Sequence, residues 1–148
     1  MLDVAYIATT DLPTGRLAQI DEDRGSIRIR VDKNALLPDV IRKLNAEMDH
    51  FLATSQWFQL WKDEIVSRAS PGCSLRIVYR LDPRAPGLDI GVGERRGLII
   101  VYIPPALDTE QFAALMNPVS KQFLAGGRWF QLYAGEIIDN SPEPMSRV

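Results

Sequence analysis

The chain has little of what most catalytic and binding chemistries need. One histidine, His50, and one cysteine, Cys73, stand among 148 residues. A lone cysteine excludes an intrachain disulfide. With one histidine beside it, it also excludes the Cys/His sets of structural zinc and the His-rich sets of catalytic zinc, so we expect no metal and no cofactor. No G-x-S-x-G elbow presents a nucleophile, and Gly91-Val-Gly93 is too short for a phosphate loop and opens no helix. No apolar run approaches the length of a membrane span. The start, Met1-Leu-Asp-Val, lacks the basic and apolar regions of a signal peptide. Net charge is −2, so no field draws nucleic acid or anionic lipid. The thirteen arginines against four lysines are scattered, which is the pattern of a solvated surface. Together these absences predict a cytoplasmic protein without membrane or nucleic-acid partners.

What the chain does contain is a repeat. Phe51-Leu-Ala-Thr-Ser-Gln-Trp57-Phe-Gln-Leu-Trp-Lys-Asp-Glu64-Ile-Val66 returns 72 positions later as Phe123-Leu-Ala-Gly-Gly-Arg-Trp129-Phe-Gln-Leu-Tyr-Ala-Gly-Glu136-Ile-Ile138, with nine of sixteen residues identical. The same ungapped offset pairs Gly15 with Gly87, Glu22 with Glu94, Arg24 with Arg96, Gly25 with Gly97, Ile27 with Ile99 and Asn45 with Asn117. Such self-similarity predicts one domain over 1–148, made of two copies of a supersecondary unit (about 1–70 and 73–139) and a flexible tail over 140–148.

Each copy opens on a β-rich run, Val4–Thr9 or Leu75–Leu81. A turn rich in Asp, Pro and Gly follows, and Leu17–Ile20 or Leu88–Val92 returns as a hairpin strand. Glu22–Gly25 and Glu94–Gly97 read as tight loops ending on a glycine with positive φ. Ile27-Arg-Ile-Arg-Val31 alternates as a strand with one wet face, whereas Leu98–Ile103 is apolar throughout. Ile41, Leu44, Met48, Phe51 and Leu52 form a helical stripe, as do Phe112, Leu115, Met116, Val119, Phe123 and Leu124. Asp108 with Gln111 forms a capping box for the second helix, and Pro118 predicts a kink or break within it. Gly126-Gly127 stops that helix, so Trp57–Val66 and Trp129–Ile138 are strands. The fold class is therefore α+β: a duplicated β-β-β-α-β unit, mainly antiparallel, with two helices and pseudo-twofold symmetry.

On a strand, Trp57, Gln59 and Trp61 share one face, as do Trp129, Gln131 and Tyr133. Phe58 and Phe130 are expected on the buried face, leaving the Trp/Gln rows as flat aromatic surfaces for a ligand or partner. The function expected from these rows is a non-enzymatic protein-binding accessory, regulatory or inhibitor module. The alternative is a small-molecule-binding protein or cofactor-free isomerase or cyclase with a cleft between the repeats. Its acid–base pair would be Glu64 and Glu136, brought together near the axis. Ile100 and Tyr102 stand where the first copy has Arg28 and Arg30, and are the expected contacts of a twofold homodimer.

Overall fold

The computed structural model describes residues 2–66, 75–84 and 87–141; Cys73 and the tail from 142 to 148 lie outside them. In chain order the elements are β1 (Asp3–Thr9), β2 (Ala18–Asp23), β3 (Ser26–Asp32), α1 (Leu37–Ser55), β4 (Trp57–Trp61), β5 (Glu64–Val66), β6 (Arg76–Leu81), β7 (Gly91–Arg95), β8 (Leu98–Ile103), α2 (Thr109–Ala125), β9 (Arg128–Tyr133) and β10 (Glu136–Asp139). The class is α+β, with two helices and mostly antiparallel strand pairs.

The β2–β3 and β7–β8 hairpins close on Arg24-Gly25 (φ 49° and 90°) and Arg96-Gly97 (φ 48° and 88°). Both central residues have positive φ, the two-residue turn whose twist matches the flanking strands. Strict alternation at 27–31 buries Ile27, Ile29 and Val31 while Arg28 stays exposed. The apolar stripe of α1 buries Leu37, Val40, Ile41, Leu44, Met48 and Leu52. The Asp108/Gln111 capping box opens α2 with both reciprocal bonds present.

The strands form three sheets, of order β1-β3-β2, β6-β8-β7 and β10-β9-β4-β5. Four details differ from the sequence expectation. First, β2 does not return against β1. The central strand β3 takes β1 as a parallel neighbour and β2 as an antiparallel one, and β8 does the same with β6 and β7. The long connection over 10–17 does not enforce adjacency as a two-residue loop would, which leaves β1 the other edge of β3.

Second, the last strand expected in each half, over 57–66 and 129–138, is itself a hairpin. Lys62-Asp63 (φ 48° and 64°) splits the first, and Ala134-Gly135 (φ 51° and 83°) the second. Third, α2 runs through Pro118 without a break. Phe112 and Met116 before it are buried, and Phe123 and Leu124 after it pack on the core, so packing on both sides outweighs one missing backbone bond. Fourth, Asn140 is buried rather than frayed, and its N–H donates to the Trp129 carbonyl at 2.6 Å.

The core lies between the inner faces of the two three-stranded sheets, the two helices and the inner face of the four-stranded sheet. Its centre is Tyr6, Tyr79 and Phe112, packed edge to face with ring centroids 6.1–6.4 Å apart. The Tyr6 and Tyr79 hydroxyls share a buried hydrogen bond of 2.6 Å. Burial pushes the Tyr6 phenol up to about 12. Burial, and next the charge of Tyr6, likewise raises Tyr79.

Candidate functional site

The four-stranded sheet carries the repeated Trp-Phe-Gln-Leu motif on its two central strands. Their antiparallel register is Trp57 against Gln131, Phe58 against Phe130 and Gln59 against Trp129. Directly opposed side chains share a face, so the motif sorts into a Trp/Gln face and a Phe/Leu face.

The expected assignment of these faces is inverted. Trp57, Gln59, Trp129 and Gln131 are buried, at 3–5% exposure, whereas Phe58 and Phe130 remain half-buried on the far side. Period-two patterning groups residues by face but does not state which face is inside. Trp decides the matter because it offers more apolar area and fills the space left where the helices end. Trp129 lies 5.9 Å from the Phe123 ring, and its indole nitrogen approaches Gly127 so closely that a Cβ there would sit 2.8 Å away. Gln131 turns its amide to the Glu22 carboxylate, which β2 presents from the inner face. Trp61 and Tyr133 share this side of the sheet but lie at its hairpin ends. Trp61 is half-buried under Lys62 Nζ at 4.4 Å and the Arg96 guanidinium at 5.4 Å, and Tyr133 is 50% exposed.

The outward face is the more unusual one. Leu60 pairs with Ile65 and Leu132 with Ile137, so both pairs join Phe58 and Phe130 on one side of the sheet. Ile65 is 50% and Ile137 62% exposed, and none of the six packs on the core formed by the described residues. At one margin Arg128 stacks 5.6 Å over Phe130 and binds Asp139 at 2.9 Å. The Ser141 hydroxyl and amide, and then Arg128, hold the Asp139 carboxyl down to about 2.

The two repeated carboxylates do not meet. Glu64 lies on β5 and Glu136 on β10, the outermost strands of the sheet. Three strand spacings separate those strands, about 14 Å. Glu64 instead binds Arg96 at 3.1 Å, and both carboxylates are exposed. No shared-proton pair can form at that separation. His50 is exposed on α1, and no metal-binding group of three His, Cys, Asp or Glu occurs among the described residues. No helix among them is long and apolar enough to cross a membrane. Ile100 and Tyr102 face outward and are half-buried, with Tyr102 lying against Gly93, where a Cβ would sit 3.4 Å from its ring.

Two asparagines have a structural role that composition did not reveal. Asn117 on α2 brackets the backbone of Tyr6 on β1, and Asn45 on α1 brackets Tyr79 on β6. In each case one side-chain amide satisfies the outer N–H and C=O of an edge strand, groups that would otherwise template aggregation. Each bracket also ties a helix of one half to a strand of the other. Their shared spacing of 72 was the available signal, but it pairs Asn45 with Asn117 without showing what either one holds.

No protein-family model matches this chain, and neither does any curated protein or solved structure.

Proposed function

We propose that this chain is a non-enzymatic protein-binding module, of accessory, regulatory or inhibitory kind, whose docking surface is the outward face of β5-β4-β9-β10. The observation that carries the reading is the row Ile65, Leu60, Phe58, Phe130, Leu132 and Ile137, contiguous across four strands and free of core contact. Soluble proteins cover such patches or use them. Aromatic anchors at the centre with a charged pair at the margin are the anatomy of an interface. The buried Trp57, Gln59, Trp129 and Gln131 then support this surface from behind.

We further read the chain as a duplication with a pseudo-twofold axis near the Phe58–Phe130 pair. Every element of residues 3–66 has a counterpart of the same type in 76–139, and the β4–β9 register reads the same from either strand. Ile100 and Tyr102, with Val78 beside Ile100 in the sheet, supply the surface for the homodimer. A cytoplasmic setting follows from the lone cysteine.

The test is affinity purification of the tagged full chain from its native host, beside Phe130→Arg and a buried control, Trp129→Phe. A partner retained by the parent and the control but lost by Phe130→Arg supports the face. Retention by all three, or by none, contradicts it.

A further inference from the structure

Between the two helices and the inner faces of the sheets lies a cavity of about 90 Å³. Both halves line it: Phe51 and Leu52 from α1, Phe123 and Leu124 from α2, and Trp57 and Trp129 from the sheet below. That is smaller than the roughly 150 Å³ of an engineered apolar cavity that takes benzene, so a guest here is of benzene size at most. Its wall is almost wholly apolar, with Tyr6 and Ser120 among the few polar residues. The wall offers water little polar surface, and apolar space of this kind favours apolar guests.

The repeat accounts for part of the space. Met48 of α1 borders the cavity with a long thioether, and 72 positions later α2 has Ser120. One wall is therefore two heavy atoms short of its counterpart. Wall atoms facing such a gap lose dispersion contacts on that side, and a guest restores them.

We propose that this cavity is a binding site for a small apolar molecule, a hydrocarbon ring of benzene size being the largest it takes. Neither Glu64 nor Glu136 borders it, so the site binds without acid–base chemistry from that pair. This inference does not depend on the outward face, and either can fail alone.

The experiment uses the full chain with benzene as probe. Saturating benzene should raise the thermal midpoint by several degrees, since ligand at a hundred times its Kd favours the folded state about a hundredfold. Methyl resonances of Leu52 and Leu124 should shift in the same titration, and those of the exposed Leu36 should not. Ser120→Met, which gives α2 the side chain that α1 carries at Met48, should weaken both responses. Leu124→Phe serves as a second filling variant should Ser120→Met not fold. An unshifted midpoint and unmoved methyl signals in the parent protein overturn the proposal. So does a folded filling variant that responds as the parent does.

Discussion

The Asn117 side chain holds the Tyr6 backbone at both ends of its amide: the Tyr6 N–H donates to Oδ1 at 2.7 Å, and Nδ2 donates to the Tyr6 carbonyl at 3.1 Å. The Asn45–Tyr79 bracket has the same form, with distances of 2.7 and 2.8 Å. Since α2 thereby grips β1 and α1 grips β6, each half completes the other.

Removing one bracket should cost more than an ordinary surface substitution. Asn117→Ala leaves a part-buried N–H and C=O unpaired, at about 1–3 kcal/mol each, so we expect a loss of about 2–6 kcal/mol. Chemical denaturation measures it. Asn45→Ala should match within about 1 kcal/mol, on the same count of broken bonds. A loss in either variant below about 0.5 kcal/mol, the scale of neutral surface changes, would show that the brackets are incidental.

The inverted faces make opposite demands on neighbouring residues. Trp129→Ala should cost about 3–5 kcal/mol as a core truncation. Phe130→Ala, on the open face, should cost about 1 kcal/mol or less, the scale of one lost aromatic pair with Phe58. Equilibrium unfolding of both variants settles the order, and a larger loss at Phe130 would return it to the core.

Much of this fold was legible in the sequence, and the limits have identifiable causes. Alternation at Ile27–Val31, the stripe of α1 and the Asp108 cap each rest on local chemistry, and each appears as expected. Strand partners were harder to foresee, because the β1–β2 connection constrains adjacency so little. The Tyr6–Tyr79 pair was hidden by a single residue. Tyr6 faces Ile29 and Tyr79 faces Val101, so the first strands are 73 positions apart where their partners are 72 apart. An ungapped comparison sets Tyr6 against Val78, and a slip of one reverses inside and outside on a strand. The outward placing of Phe58 and Phe130 was missed for a related reason: a two-residue period names two faces, and only the volume available behind Trp57 and Trp129 chooses between them.

Alkaline unfolding should report the buried phenols. An acid whose pKa is raised on folding keeps its proton in the native state after the unfolded chain has lost it. Stability is therefore undiminished below about 10 and falls as pH rises towards about 12, the value for Tyr6. Tyr6 alone should contribute a loss approaching about 1.4 kcal/mol per pH unit within that window. Stability measured from pH 9 to 11 should fall less steeply in Tyr6→Phe than in the parent. Identical slopes would show that the hydroxyl is not shielded.

Assembly through the β8 face is a separate matter. Ile100→Arg should convert a dimer to a folded monomer in sedimentation at micromolar concentration. A parent protein that already sediments as a monomer removes the dimer.

The docking face is tested most directly by photo-crosslinking from defined positions in the native host. A diazirine amino acid at position 137, on the outward face, is compared with one at position 36. Leu36 is the more exposed of the two apolar residues, at 73% against 62% for Ile137, but lies at the start of α1. A partner captured from 137 and not from 36 is the predicted result. Capture from 36 with none from 137 would contradict the docking face.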